Sequence, residues 1–153
     1  AKYYAPTDVE LDLSIPQRGY ALVGALLVDA LEAAADGAPA REAALRIASQ
    51  RGREIGGATP RSHAPRSIDE GPAALTDLLE DLGYEPYGGP EGGLALRNCP
   101  FHALAQRSPE LICALNHAFL DGVLDGLGQD ELEAVLACSQ PGDCCVLFNP
   151  QSA

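Results

Sequence analysis

Residues 108–127 read SPELICALNHAFLDGVLDGL, and this stretch indicates a long helix. Ser108 is a favoured N-cap residue, Pro109 suits the first helical position, and Glu110 places an acid in the first turn. We therefore predict a helix that begins here and runs to about Leu127. Strand signals lie on both sides of it, so the helix is expected to connect two hairpins.

Each of the two predicted hairpins has a turn rich in glycine or proline. The first joins Tyr84–Tyr87 to Leu94–Cys99, and Pro86 within it suggests an edge strand, because proline cannot donate a ladder hydrogen bond. The second joins Leu132–Cys138 to Cys144–Phe148 through the turn sequence SQPGD. Together they predict a four-stranded antiparallel sheet.

Three further helices are predicted in the first half of the chain, each with a proline start and a glycine-containing end. They run from Pro16 to Asp36-Gly37, from Pro39 to Gly56-Gly57, and from Pro72 to Gly83. About four main helices packed on one side of the sheet make this an α+β chain. We expect a single domain over 16–153, helical over 16–83 and α/β with the cysteines over 84–149.

The composition of the 153 residues bounds the function, because the formal net charge is −12. So acidic a chain lacks the clustered Lys and Arg that neutralise a phosphate backbone, and by itself it should not bind DNA. No signal peptide and no apolar run of the roughly 20 residues that span a bilayer is visible. We expect a soluble, cytoplasmic protein. Residues 1–15 open on AKYYAP and the chain contains no Met, which is typical of a C-terminal domain excised from a longer protein.

All five cysteines lie after residue 98, which marks the C-terminal third as the functional region; they are Cys99, Cys113, Cys138, Cys144 and Cys145. Cys99 is expected at a strand end, and Cys113 near a helix start, where backbone N–H groups favour a thiolate. His117 lies four residues after Cys113, so the two could hold one ion on the same helical face. The alternative is a buried cysteine beside a histidine at the edge of an apolar arc.

Strand alternation sends Cys144 and Cys145 to opposite faces, so one of them is expected to be a bystander. Cys138 would lie opposite Cys144 across the final hairpin. The two could be buried thiols or could form a disulfide, which a reducing cytosol disfavours. No Cys-x-x-Cys spacing occurs. A catalytic dyad of Cys99 and His102 would need an orienting third group, which the sequence does not reveal, and we expect no enzyme.

Three motifs resemble the C-terminal region of bacterial winged-helix regulators of the ArsR-like and DeoR-like group, close to SufR-type iron–sulfur repressors. They are LRNCPF at 96–101, PELIC with NH at 109–117, and GDCCV at 142–146. The resemblance implies a transcriptional regulator whose DNA-binding winged-helix domain precedes this chain. It also implies an iron–sulfur cluster or zinc held by Cys99, Cys113 and one of Cys144 or Cys145, with Cys145 preferred. The CysCys doublet departs from the family pattern.

Such a regulator is expected to be a homodimer, because pseudo-palindromic DNA sites require two-fold proteins. The first helix is the best candidate for the seam. Its small stripe, formed by Ala21, Gly24, Ala25 and Val28, would either contact a second copy or pack within the domain, while Val23, Leu27 and Leu31 are expected to face the core. The alternative function is a small-molecule effector domain, with apolar helices around a pocket and cysteines in structural roles.

Overall fold

The computed structural model describes residues 15, 17–34, 39–59, 73–137 and 143–151. Five helices lie within these ranges: α1 (Tyr20–Ala34), α2 (Ala40–Ala58), α3 (Ala73–Asp81), α4 (His102–Arg107) and α5 (Pro109–Leu127). The strands are β1 (Pro86–Gly88), β2 (Leu94–Leu96), β3 (Leu132–Leu136) and β4 (Val146–Pro150), and a short 3-10 turn at Pro90–Gly92 separates β1 from β2. None of the helices in the described part of the chain is long and apolar enough to cross a membrane.

The four strands form one antiparallel sheet in the order β1-β2-β4-β3. Each predicted hairpin is present, and the two meet where Leu94 of β2 lies opposite Phe148 of β4. Pro86 lies in β1 at the sheet edge, as the sequence predicts, and the α+β architecture is confirmed. The strands are shorter than expected. Since β2 ends at Leu96 and β4 begins at Val146, the cysteines of both segments lie in the connections beyond the strands.

Helix α5 is the centre of the fold because it packs against both the sheet and α2. Its buried side chains include Phe119, Leu120 and Val123, which belong to the same core cluster as Leu96 and Phe148 of the sheet. The helix ends where sequence reasoning places its end. Gly128 adopts a left-handed φ of 67°, and the N–H of Gln129 reaches back to the carbonyl of Leu124 at 3.0 Å, a pattern that only glycine adopts without strain.

Glycines form the contact between α2 and α5. Gly52 and Gly56 of α2 face Gly122 and Gly126 of α5, and a Cβ atom added to any of the four would collide with backbone atoms of the opposite helix. The prediction that Gly56-Gly57 ends the second helix was therefore wrong, since α2 continues to Ala58. These glycines allow the two helices to approach closely, and the helix tolerates them because packing outweighs their low helical propensity.

Two expectations about helix α1 also change. The helix begins at Tyr20 and not at Pro16, and its buried side chains are Val23, Leu26 and Ala30. Leu27 and Leu31, expected in the core, are 36% and 67% exposed. The stripe of Ala21, Gly24, Ala25 and Val28 is exposed as well, and a Cβ added at Gly24 would meet no atom of the described residues within 4 Å.

Candidate cysteine site

The loop that carries Cys99 is fixed by the side chain of the residue before it. Asn98 accepts a hydrogen bond from the N–H of Glu85 at 2.7 Å and donates one to the carbonyl of Gly83 at 2.9 Å. The carbonyl of Cys99 accepts the N–H of His102 at 3.0 Å, which begins the turn into α4. These bonds satisfy the backbone after β2 ends and place Cys99, 7% exposed, in the core.

The segment before α1 closes over the same loop. Arg18 donates from Nη1 to the carbonyl oxygen of Cys99 at 3.2 Å, and the N–H of Gly19 donates to the carbonyl of Pro100 at 3.2 Å. A Cβ on Gly19 would come within 2.6 Å of the Phe101 ring, so only glycine fits here without a shift of that ring. The start of the first helix is thus attached to the cysteine loop.

Cys144 lies against Cys99 at the end of the sheet. Its N–H donates to the carbonyl of Leu96 at 2.9 Å, which extends the pairing of the central strands by one bond. Its thiol is hydrogen-bonded to the sulfur of Cys99. The preceding residue, Asp143, accepts a hydrogen bond from the hydroxyl of Tyr87 at 2.5 Å, and this anchors the chain just before Cys144 to the edge strand.

A buried amide completes this pair. Asn116 of α5, 1% exposed, donates from Nδ2 to the sulfur of Cys144 at 3.1 Å and accepts the hydroxyl of Tyr84 on Oδ1 at 2.5 Å. Tyr84 is itself buried, and burial raises its pKa well above the usual value, so it remains a neutral donor. Neither residue was given a role from the sequence, although Asn116 belongs to one of the three motifs. The available signal was a lone amide on the apolar face of the long helix, three residues after Cys113.

The two contacting thiols have opposite pKa shifts. The pKa of Cys99 falls to about 7, chiefly because the Cys144 S–H donates to its thiolate; the Phe101 N–H and the Arg18 charge lower it further, against the opposing effect of burial. The pKa of Cys144 is raised because its proton is held in that same bond, and burial adds to the effect. Of the two thiols, Cys99 is therefore the one that ionises first.

The second pair is a disulfide between Cys113 and Cys145, whose Cα atoms are 6.1 Å apart. Cys113 is in the second turn of α5, whereas Cys145 directly precedes β4. The bond ties the helix to the central strand. Cys144 and Cys145 thus point to different partners, although both precede β4 and lie outside the alternating strand. Both partners belong to the predicted set, and neither cysteine is a bystander. Cys138 lies outside the described residues.

His117 is engaged elsewhere. Its Nε2 lies 2.8 Å from the carbonyl oxygen of Ala134 in β3, so this nitrogen acts as the donor and helps dock α5 on the sheet. Of the ring nitrogens, only Nδ1 is left to serve as a ligand. Through this hydrogen bond His117 holds α5 against β3, one helical turn after Cys113.

The donor set can be compared with what a metal requires. In the described ranges, no three His, Cys, Asp or Glu side chains form a group that could hold a metal ion. Two of the four sulfur atoms are bonded to each other, and a metal ligand must be a thiolate. Reduction of that bond would provide four thiols from three chain segments, a set whose chemistry fits a soft metal or an iron–sulfur cluster.

A small cavity bears on the alternative of a small-molecule effector domain. It lies between α1, α2 and the start of α5, has a volume of about 180 Å³, and is lined by Leu27, Ala30, Leu31, Ala40, Arg41, Ala44 and Leu111. Ligand pockets usually measure about 300–1,000 Å³. A larger cleft of about 470 Å³ lies between the end of α2 and α3, but residues 60–72, which connect these helices, are outside the described part of the chain.

No protein-family model, curated protein or solved structure matches this chain. Any assignment of function therefore depends on the paired cysteines and the groups around them.

Proposed function

We propose that this chain is the cysteine-based sensor and dimerisation domain of a cytoplasmic bacterial transcriptional regulator. In its reduced form the domain holds a soft metal ion or an iron–sulfur cluster. DNA contact belongs to a winged-helix domain N-terminal to this chain, since a net charge of −12 disfavours any contact between this domain and phosphates.

One observation carries the proposal: four cysteines from three separate segments meet in two directly contacting pairs. The Cys99 and Cys144 sulfurs are hydrogen-bonded, and the Cys113 and Cys145 sulfurs are bonded. The pairs adjoin, because Cys144 and Cys145 are consecutive and because Asn116, one helical turn after Cys113, reaches Cys144. Such convergence brings soft sulfur donors from three parts of the chain close together.

The ligands we assign are Cys99, Cys113 and Cys145, with Cys144 as the candidate for the fourth position. Cys99 is already inclined to be a thiolate, because Cys144 and Arg18 stabilise its charge. Asn116 would orient the sulfur of Cys144 through its amide N–H. A bound cluster would supply a redox-labile centre, and zinc would supply a redox-inert one.

A structural change at the cysteine site would be transmitted to the dimer seam through the start of α1. Arg18 and Gly19 bond to the carbonyls of Cys99 and Pro100, so a change in the loop is felt where α1 begins. The exposed side of α1 is the proposed homodimer seam; Val28 is 56% and Leu31 67% exposed there. A stripe of small residues beside these apolar side chains lets a second copy approach closely.

Metal analysis tests the sensor assignment. The chain is reduced with dithiothreitol under nitrogen, reconstituted separately with Zn²⁺ or with iron and sulfide, desalted, and examined by elemental analysis and ultraviolet–visible absorption. We expect about one metal ion or cluster per chain, abolished by Cys99→Ser or Cys113→Ser and retained by Cys138→Ser. Substoichiometric metal in the reduced wild type, with all thiols titrating freely, would contradict the assignment.

The dimer assignment is tested separately by sedimentation. We expect the wild type to sediment as a dimer, and Val28→Glu to dissociate it because a charge would be buried in the seam. Glu42→Lys, on α2, serves as the control for a general effect of charge. A monomeric wild type, both as this chain and joined to its DNA-binding domain, would remove α1 as the seam.

A further inference from the structure

The cavity of about 180 Å³ between α1, α2 and α5 is buried on one side and open to solvent on the other. Of the residues that line it, Ala30 and Ala44 are each 3% exposed, whereas Leu31 is 67% exposed. The space exists because Ala30, Ala40 and Ala44 have side chains too small to fill the gap between the helices. A small molecule can therefore enter from solvent without unfolding of the core.

One charged side chain lines this otherwise apolar cavity. Arg41 of α2 is exposed and donates from Nη2 to the carbonyl oxygen of Glu110 in α5 at 3.4 Å, so its guanidinium lies between the two helices. A guanidinium has five N–H donors, of which this bond uses one. The ion pairs formed within the described ranges do not include Arg41. Its remaining donors are thus available to a carboxylate.

Two helix N-termini lie at the same place. Ala40 and Arg41 belong to the first turn of α2, and Leu111 belongs to the first turn of α5. Neither N-terminus has a hydrogen bond from a capping side chain, and the partial positive charge of the first turn favours an anion. The first-turn acids, Glu42 and Glu110, are not among the residues that line the cavity.

We propose that this cavity binds a small carboxylate with an apolar body of about six carbon atoms. An apolar protein cavity of about 150 Å³ holds one benzene molecule, so this cavity has room for an apolar group of that size. The apolar body lies against the leucine and alanine side chains, and the carboxylate accepts hydrogen bonds from Arg41 at the open side. The proposal concerns a site separate from the cysteines and does not depend on the metal assignment.

The experiment is a nuclear magnetic resonance titration of the ¹⁵N-labelled full chain with sodium hexanoate, with the Cys113–Cys145 disulfide intact and metal removed by a chelator. We expect saturable shifts of the Arg41 and Leu111 amide signals, with a Kd of about 1 mM or below. Hexanol has an apolar body of the same length without the charge, and it should bind at least about tenfold more weakly. Acetate has the charge without the apolar body and should give no saturable shift.

Matched variants locate the site. Arg41→Gln should weaken hexanoate binding at least about tenfold, because the ligand loses its charged partner. Arg46→Gln changes an exposed arginine of the same helix that does not line the cavity, and it should leave the Kd unchanged. Ala44→Leu should abolish binding by filling the cavity. Circular dichroism shows whether this buried variant folds, and should it unfold, the pair of arginine variants decides.

Three results would overturn the proposal: no saturable shift in the wild type, equal affinities for hexanol and hexanoate, or equal effects of Arg41→Gln and Arg46→Gln. The titration contains no metal. Failure of the metal assignment would therefore leave its result unchanged.

Discussion

The contact between α2 and α5 allows a prediction that compares two adjacent glycines. At Gly56, an added Cβ would lie 2.5 Å from the carbonyl oxygen of Val123 and 3.0 Å from the N–H nitrogen of Leu127. At Gly57, the nearest atom would be the Gly126 carbonyl oxygen at 3.8 Å, which is ordinary contact. The same substitution in the same helical turn therefore collides with backbone at Gly56 and makes only ordinary contact at Gly57.

The expected difference follows from these distances. To restore contact of about 3.4 Å at Gly56, the backbones must separate by about 0.9 Å, and no flexible side chain is available to move instead. Overpacking of this kind costs about 1–3 kcal/mol, and we take the upper end because two helix backbones must shift. The gain in helical propensity from Gly to Ala returns at most about 1 kcal/mol. Gly56→Ala should thus lose about 2 kcal/mol, and Gly57→Ala should be neutral or slightly stabilising.

Urea unfolding followed by circular dichroism, with the disulfide intact, measures both variants against the wild type. A loss of about 2 kcal/mol corresponds to a Tm lower by roughly 4–8 °C for a chain of this size. Equal stabilities for the two variants, or a more stable Gly56→Ala, would refute the close approach of α2 and α5. Gly52→Ala should be at least as damaging as Gly56→Ala, since its added Cβ meets the carbonyl of Phe119 more closely.

Three further predictions concern the cysteine site. The rate at which iodoacetamide alkylates Cys99 in metal-free protein should rise with pH to a midpoint near pH 7, because only the thiolate reacts. Mass spectrometry of the labelled peptide across pH 5–9 measures this rate. A midpoint near pH 9 would contradict the prediction. Tyr84→Phe should lower the free energy of unfolding in urea by about 1–3 kcal/mol, because the Oδ1 atom of buried Asn116 loses its hydrogen-bond donor. An unchanged urea midpoint would mean that this hydrogen bond does not contribute to stability. The Cys113–Cys145 disulfide closes a loop with a sequence separation of 32, so its reduction should lower the free energy of unfolding by roughly 3–4 kcal/mol. An unchanged urea midpoint in the presence of dithiothreitol would refute a stabilising role of the disulfide.

Local signals in the sequence were enough to predict most of the architecture. The prolines at the starts of α2 and α5, the Gly83 helix end and the turns between strands are each set by a few neighbouring residues, whereas the start predicted at Pro16 was wrong. Gly56 misled the prediction because a glycine that ends a helix and a glycine that admits another helix look the same in sequence. Only the matching Gly122 and Gly126 in α5, at the same spacing of four, indicate the second use.

The positions of the five cysteines in the sequence mark the C-terminal third, but they do not predict the pairing of Cys99 with Cys144 or of Cys113 with Cys145. Which sulfur contacts which depends on the connections before β4 and after β2, where strand periodicity no longer applies. The role of Asn116 was not predictable for a related reason, since a single amide on a helix acquires its role only from the cysteine that the fold places beside it.

The attachment of Gly19 to Pro100 gives α1 the geometry of a lever. The helix has 15 residues, so its far end lies about 22 Å from the fixed one. A tilt of ~5° at the attached end would move the far end by ~2 Å, which is the scale of helix shifts that change subunit contacts. A small rearrangement of the Cys99 loop, such as a sulfur atom changing its bonding partner would cause, would therefore become a larger displacement at the far end of the helix.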